Sequence, residues 1–246
     1  MLSKARLKAL RALHQKKYRD RNGSFMVEGI KGVSEALTHG DVEEVLALPE
    51  VWKTMEADHA DVRLTEIDER ILSQLSALQN PQGIIAIVKK RHLERNVLSR
   101  KAWSIYLDGI QDPGNLGTII RTADWFGIDT LLLSPGCVDP YNPKCVQASM
   151  GAIHRVEFST LDAETLLSEV KQGGLPLWLA EMEGHSLSEM EIPDHGVLVL
   201  GNEANGIRKG LHADGAQSIS IPGSGGSESL NVSIACAIFC YTIHCR

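Results

Sequence analysis

The pattern of hydrophobic and polar residues divides the chain into two parts. The first part opens with apolar residues at helical spacing among bases, and Gly23 and Ser24 end this helix. Short apolar runs bounded by polar residues then predict strands. The predicted elements are helices over 2–13, 32–37 and 67–78 and strands over 24–29, 42–48 and 84–88. A small α/β domain therefore occupies about residues 1–90, and the polar stretch 91–101 is the predicted linker.

From residue 102 to residue 246, predicted strands and helices alternate. The strands are predicted over 105–107, 130–133, 155–158, 177–180, 197–200 and 218–221, and the helices over 116–126, 143–150, 163–171 and 230–243. Such alternation predicts an α/β fold with a mostly parallel sheet and helices on both faces. Ligands are then expected beyond the carboxyl ends of the strands.

The composition narrows the class of protein. A content of 43% hydrophobic and 23% charged residues is ordinary for a globular chain and excludes a disordered or fibrous one. No apolar run approaches the roughly 18 residues of a membrane span, and the charged first 21 residues do not resemble a secretory signal. Five cysteines without zinc-type pairs are typical of reduced thiols. We therefore expect a cytoplasmic protein with no membrane and no metal.

The net charge of −6 is unevenly distributed. Residues 1–100 hold 17 Lys and Arg against 14 Asp and Glu, whereas residues 101–246 hold 8 against 17. Two basic clusters account for most of the bases in the first part. They are Lys4, Arg6, Lys8, Arg11, Lys16, Lys17, Arg19 and Arg21, and then Lys89, Lys90, Arg91, Arg95, Arg100 and Lys101. A protein with a polyanionic partner shows this pattern, and so does a helix whose bases only keep it solvated.

Three strand-to-helix connections in the second part contain more Gly, Asn and Glu than packing requires. The first spans residues 107–117 and contains Asn115, which we expect to cap a helix that begins at Leu116. Arg121 lies six residues beyond that cap, from where its side chain can reach the carboxyl edge of the sheet. A capping Asn and a surface Arg would explain the same residues without a function.

The second connection follows the buried strand at 197–200. Gly201 and Gly206 permit a close approach of backbone to a ligand. Glu203 between them is suited to hold a hydroxyl or a cation. A turn with a solvated carboxylate would explain the same residue without a function.

The third connection is a Gly/Ser-rich loop before the apolar closing helix, and its exposed amides are suited to cradle a phosphate. Three polar residues stand at the head of that helix: Ser229, Asn231 and Ser233. Capping explains one or two of them, not all three.

In order and spacing, these residues resemble the three motifs of the SpoU (TrmH-like) family of RNA ribose 2′-O-methyltransferases, of the SPOUT superfamily. The matching segments are Asn115-Leu116-Gly117-x-x-x-Arg121, Gly201-x-Glu203-x-x-Gly206, and Ile221-Pro222 followed by Ser229-Leu230-Asn231-Val232-Ser233. Residues 142–152 resemble an intermediate stretch of the family. Residues 25–37 resemble the start of its N-terminal RNA-binding domain, which is related to ribosomal protein L30e.

The resemblance implies a deep trefoil knot at the C-terminal end of the sheet, in a methyltransferase domain over 102–246 behind an L30e-like RNA-binding domain over 1–90. It also implies a homodimer, with helices of the first and third motifs at the interface. S-adenosylmethionine would be bound in a bent form within the knot, mainly by backbone. The implied cofactor contacts are Ala180, Leu200, Gly201, Gly206, Ile221, Ser229 and Leu230.

The implied reaction moves a methyl group from a sulfonium to a ribose 2′-hydroxyl. The implied catalytic residues are Arg121, Asn115, Glu203, Ser229 and Asn231. The family credits Arg121 with activating the hydroxyl. A guanidinium, with a pKa above about 12, is ordinarily only a donor, so Arg121 either orients the hydroxyl and adjacent phosphate or takes the proton itself. Glu203 would hold Arg121 or the ligand.

Two features depart from the family pattern. Gly223 and Ser227 stand where an apolar pair is common, which predicts a looser third loop, and Gln147 stands where a base is frequent, which predicts weaker phosphate binding. A non-catalytic RNA-binding scaffold on the same fold would need a broken motif, and none is broken. A nicotinamide-dependent oxidoreductase would need a glycine fingerprint that the first strand lacks. The N-terminal domain favours ribosomal over transfer RNA as substrate.

Overall fold

The computed structural model describes residues 2–55, 62–91, 98 and 102–245. The strands, in chain order, are β1 (Ser24–Glu28), β2 (Val42–Ala47), β3 (Leu64–Glu66), β4 (Ile84–Lys89), β5 (Trp103–Asp108), β6 (Thr130–Leu133), β7 (Glu157–Thr160), β8 (Leu177–Ser186), β9 (Gly196–Gly201) and β10 (Ala216–Ser220). The helices are α1 (Lys4–Ala12), α2 (Lys16–Asn22), α3 (Ile30–His39), α4 (Pro49–Trp52), α5 (Glu69–Leu75), α6 (Pro113–Trp125), α7 (Pro143–Ser149), α8 (Ala163–Gly173) and α9 (Val232–His244). None of these helices is long and apolar enough to cross a membrane.

The chain divides into two compact units. One comprises residues 1–92 with 139–155, and the other residues 93–138 with 156–246. Most of the predicted linker, residues 91–101, lies outside the described residues, and so do three bases of the second basic cluster: Arg95, Arg100 and Lys101.

The first unit is built on a four-stranded sheet in the order β1-β4-β2-β3. The central strand β4 runs antiparallel to both β1 and β2, and β3 lies parallel to β2. The short elements α4 and β3 have no counterpart among the predicted elements, because three or four residues are too few to show a periodicity. Helix α1 lies within the helix predicted over 2–13, whereas α2 is a separate helix that was not predicted. Gly23 ends α2 in the left-handed conformation that favours glycine (φ +63°).

Residues 139–155, which the sequence pattern assigns to the second domain, pack within the first unit. The buried Arg19 forms an ion pair with Asp139, with Nη2 and Oδ2 2.7 Å apart. Its Nη1 donates to the carbonyls of Leu13 and His14 at 2.9 and 2.8 Å. A buried guanidinium needs such partners, since an unpaired charge in a core is strongly destabilising. This ion pair therefore fastens the segment to the rest of the first unit.

His154, in the same segment, is buried without a hydrogen-bond partner for Nε2 among the described residues. Its ring stacks on Phe25 with the centroids 6.0 Å apart, and burial lowers the pKa of His154 to about 4. The unfolded chain, with an ordinary pKa near 6.5, then binds the proton more readily than the folded one between about pH 6.5 and 4. His154 therefore contributes stability that is fully present above that window and is lost as the pH falls through it.

We expect His154→Phe to flatten this pH dependence. Across the window, the wild-type chain should lose up to about 3 kcal/mol more unfolding free energy than the variant. Urea unfolding between pH 7.5 and pH 4.5 measures the difference. The exposed His185→Phe, in the second unit, serves as the control that keeps the slope. Parallel pH profiles for His154→Phe and the wild type would contradict the assignment.

The second unit holds a six-stranded sheet in the order β10-β8-β9-β5-β6-β7, and all five neighbouring pairs are parallel. The predicted mostly parallel α/β sheet is confirmed. From β5 the chain adds β6 and β7 on one side of the sheet, and it then adds β8, β9 and β10 on the other side. The switch point, where the strand order reverses, therefore lies between β5 and β9. Loops that leave two strands at a switch point diverge and leave a crevice at the carboxyl edge.

Candidate active site

The loop after β5 places Asn115 within the first turn of α6. The helix begins at Pro113, and its N-cap is Asp112, whose Oδ1 accepts a hydrogen bond from the backbone N of Asn115 at 2.8 Å. The prediction that Asn115 caps a helix beginning at Leu116 is therefore wrong. Proline is favoured at the first helical position, where its missing N–H costs no hydrogen bond, so the helix starts earlier. The side-chain amide of Asn115 is left free for other contacts.

That amide joins the other two loops. Nδ2 of Asn115 donates to Oε1 of Glu203 at 2.7 Å, and Oδ1 of Asn115 accepts from Nδ2 of Asn231 at 3.0 Å. An amide offers both donors and an acceptor, so a single Asn can link a carboxylate to a second amide. One residue from each of the three sequence motifs thus meets in a continuous hydrogen-bonded chain.

Asn231 also caps the closing helix. Its Oδ1 accepts from the backbone N of Ser233 at 2.9 Å and from the Ser233 hydroxyl at 2.6 Å. Helix α9 consequently begins at Val232, two residues later than predicted. Capping and the hydrogen bond to Asn115 together explain why polar residues stand at positions 231 and 233. Ser229 and Leu230 precede the helix in an exposed segment, with Leu230 47% exposed.

The second loop is closed by its own backbone. Asn202 and Gly206 exchange two hydrogen bonds, at 3.0 and 2.9 Å, which leaves Glu203 at the exposed tip. Gly206 has a φ of +64°, in the region that favours glycine. A Cβ on Gly201 would overlap the Gly206 carbonyl carbon, so this close approach also requires a glycine at position 201.

Contacts that the sequence did not reveal hold the second loop to the first. Asp108 ends β5 opposite Gly201, and its Oδ1 accepts from Nε of Arg208 at 2.6 Å. This hydrogen bond raises the pKa of Arg208 above its ordinary value. Nδ2 of Asn202 donates to the carbonyl of Gly109 at 2.7 Å. Asp108 and Asn202 directly flank glycines of the two loops, but no local pattern pairs residues that are about 100 positions apart.

The residues expected to contact a cofactor lie on three neighbouring strands or directly after them. Ala180, within β8, pairs with Leu200 on β9, and β10 ends at Ser220, the residue before Ile221. Several glycines beside this edge of the sheet have open space where a side chain would stand. Apart from each glycine's own chain neighbours, no atom of the described residues lies within 4 Å of a Cβ built on any of four of them: Gly206, Gly223, Gly225 and Gly226.

Arg121 is exposed on α6, and its guanidinium forms no hydrogen bond or ion pair with another described residue. Glu203, which was expected to hold Arg121 or the ligand, accepts instead from Asn115. The structure therefore leaves Arg121 outside the hydrogen-bonded chain, with its donors available. Among the residues described, no group of three or more His, Cys, Asp or Glu side chains is placed to hold a metal ion.

Known proteins resemble both parts of the chain. Residues 102–241 match the SpoU rRNA Methylase family, and residues 4–86 match the MRM3-like substrate binding domain. The 23S rRNA (guanosine(2553)-2′-O)-methyltransferase RlmP of Bacillus subtilis (strain 168) is 30% identical over 238 residues, which cover 96% of this chain and 94% of that protein.

Two solved structures share the architecture over nearly the whole chain. A TrmH-family protein from Porphyromonas gingivalis has a TM-score of 0.89 and 37% identity, covering 99% of this chain and 98% of that one. An AdoMet-bound rRNA methyltransferase from Sinorhizobium meliloti has a TM-score of 0.87 and 29% identity, covering 99% and 96%. The resemblance carried by the three motifs is confirmed, and the chain belongs to the SpoU rRNA methylase family.

Proposed function

We propose that this protein transfers the methyl group of S-adenosylmethionine to a ribose 2′-hydroxyl of ribosomal RNA. The observation that carries the proposal is the hydrogen-bonded chain from Glu203 through Asn115 to Asn231, which unites the three family motifs. The relative from Bacillus subtilis is a 23S rRNA 2′-O-methyltransferase, and the matched N-terminal domain is a substrate-binding one. Both favour ribosomal over transfer RNA. A non-catalytic scaffold is not favoured, since every motif residue is present.

The residues at the sheet edge suit the cofactor. Open space beside Gly206 and in the Gly/Ser loop leaves room for a ligand that is held by backbone amides and carbonyls. Ala180, Leu200, Gly201, Ile221 and Leu230, together with Gly206 and Ser229, would hold it. When bound, the cofactor supplies an electrophilic methyl group on a sulfonium.

Arg121 has the chemistry to orient the acceptor. An exposed guanidinium with free donors can bind the ribose 2′-oxygen and the adjacent phosphate, and it stabilises the negative charge that develops on that oxygen. We assign Arg121 this orienting role. Asn115 and Glu203 keep the loops in place, and Ser229 and Asn231 complete the hydrogen-bonding shell. Because alignment of donor and acceptor lowers the barrier strongly, these positioning contacts matter as much as the charge.

The first unit would bind the RNA backbone. Part of its leading basic cluster is already engaged, since Arg19 is buried with Asp139, and Arg6 pairs with Glu44 at 2.6 Å. Lys16 pairs with Asp20. The exposed remainder of the cluster is Lys4, Lys8, Arg11, Lys17 and Arg21. These bases would contact phosphates, so affinity for RNA should fall steeply with salt.

Four further features belong to the proposal: a trefoil knot, a homodimer, an L30e-like first unit and a cytoplasmic location. Helix α9 follows the edge strand β10 and yet packs against α6 and β9, as a chain returning through a trefoil knot would. Trp125, Ile234 and Tyr241 on these two helices are 83%, 51% and 60% exposed, which suits a homodimer interface. The first unit would adopt an L30e-like fold. None of the five cysteines forms a disulfide in the described structure, which suits the cytoplasm.

A methylation assay tests the proposal. The purified protein is incubated with methyl-labelled S-adenosylmethionine and, in parallel, with ribosomal or transfer RNA from cells that lack the gene. The RNA is then digested to nucleosides and analysed by mass spectrometry. We expect a 2′-O-methylated nucleoside from ribosomal RNA. Methylation of a base, or no product from either RNA, would contradict the proposed reaction, and a product from transfer RNA alone would contradict the substrate.

A further inference from the structure

We propose that Asp108 and Arg208 are positioning residues of the methyl-transfer site. They act by fixing the loop 201–208, which carries Glu203 to Asn115. This inference rests on the proposed function, and it concerns residues that lie outside the recognised motifs.

The loop is fastened at both ends to one residue. It leaves β9 at Gly201, which pairs with Asp108 in the parallel register. It returns at Arg208, whose backbone N donates to Oδ2 of Asp108 at 2.8 Å and whose Nε donates to Oδ1 at 2.6 Å. Nη2 of Arg208 forms a further ion pair with Oδ1. A guanidinium that binds a carboxylate through several hydrogen bonds fixes direction as well as distance.

The interior of the loop is fixed from the same strand end. Nδ2 of Asn202 donates to the carbonyl of Gly109, the residue after Asp108. Oδ1 of Asn202 accepts from the backbone N of Ala204 at 2.9 Å and of Asn205 at 3.1 Å. Glu203 therefore sits on backbone that is held on both sides, and its contact with Asn115 depends on that support.

The burial of Asp108 separates positioning from direct binding. Asp108 is 3% exposed, so its carboxylate cannot touch RNA or cofactor in this conformation. The side chain of Arg208 is 45% exposed and would by itself also suit a phosphate contact. If the pair only positions the loop, loss of either partner should weaken cofactor binding and methyl transfer and leave RNA affinity unchanged.

The test compares Asp108→Asn, Arg208→Ala, Arg208→Lys and the double variant Asp108→Asn/Arg208→Ala with the wild type. Lys209→Ala, an adjacent exposed cation, is the matched control. Calorimetry measures the Kd of S-adenosylmethionine, filter binding measures RNA affinity without the cofactor, and single-turnover assays measure methyl transfer.

We expect Asp108→Asn and Arg208→Ala each to raise the cofactor Kd by about tenfold and to slow transfer, with RNA affinity unchanged. The double variant should be no worse than either single one, because both single substitutions remove the same side-chain ion pair. Arg208→Lys should fall between Arg208→Ala and the wild type, since it keeps the charge and loses the planar fork. Lys209→Ala should match the wild type in cofactor affinity.

Unchanged cofactor affinity in both single variants would overturn the inference. So would additive losses in the double variant, or a loss of RNA affinity confined to Arg208→Ala, which would make Arg208 a direct RNA contact. If the wild type transfers no methyl group, the proposed function fails, and hydrogen exchange at the Gly206 amide decides the positioning role. Faster exchange in Asp108→Asn and Arg208→Ala than in Lys209→Ala supports the clamp, and equal rates overturn it.

Discussion

Arg121→Ala lowers the rate of methyl transfer by at least about 100-fold and leaves the Kd of S-adenosylmethionine within about threefold. This result is expected because the Arg121 guanidinium makes no hydrogen bond or ion pair with the other described residues, so it does not hold the loops together. Its donors remain free for the developing charge on the acceptor oxygen. A donor aimed at such a charge is worth far more in the transition state than in the ground state.

Single-turnover assays at saturating RNA, paired with calorimetry, measure both quantities. Arg121→Lys keeps the charge and loses the planar fork, so it should retain part of the rate. Lys171→Ala, which removes an exposed cation from α8 in the same unit, controls for the change in net charge. Full turnover by Arg121→Ala on the same RNA would remove Arg121 from the mechanism. A collapse of cofactor affinity would make it a structural residue instead.

Asn115→Asp should lower methyl transfer and cofactor affinity by roughly 10- to 100-fold. The substitution is nearly isosteric, but it places a carboxylate where Nδ2 now lies 2.7 Å from Oε1 of Glu203. Two carboxylates at that distance repel each other, and the loop that carries Glu203 must move. The contact with Asn231 survives, because the introduced carboxylate would still accept from the Asn231 amide.

A second substitution separates geometry from charge. Glu203→Gln in the Asn115→Asp background restores a donor and an acceptor in reversed order, and we expect it to recover much of the lost cofactor affinity. Asn205→Asp adds a negative charge to the same loop away from Asn115 and should have a smaller effect. If the double variant is weaker than Asn115→Asp alone, the Asn115–Glu203 contact does not organise the site.

Much of the second unit follows from local pattern. The parallel sheet was predictable because strands and helices alternate between residues 103 and 173, an order that favours parallel pairing of the strands. The three loops were predictable as a group because carboxyl ends of parallel strands share one edge. The hydrogen-bond partners of Asn115 were not predictable, since they depend on whether Asp112 or Asn115 caps the helix. Both residues are good caps.

Other features depend on contacts between distant residues. Strand β8 continues to Ser186, although the apolar pattern ends at Ala180. The pairing of β10 with β8 jumps from Leu179 to His185, and the backbone at Gly184 comes so close to Ser218 that a Cβ there would overlap its carbonyl oxygen. The sequence pattern does not predict such a bulge. Nor does it predict the packing of 139–155 with the first unit, because the Arg19–Asp139 ion pair joins residues 120 positions apart.

A crystal structure with S-adenosylhomocysteine, the demethylated product of the cofactor, tests the central claim most directly. We predict the ligand at the carboxyl edge, against Gly201 and the segment 221–231, with its sulfur facing the side of Arg121. A cleft of about 520 Å³ lies at the opposite edge of the same sheet, beside Pro176 and Gly215. Ligand bound in that cleft, or absent from the Gly201 edge at saturating concentration, would contradict the account.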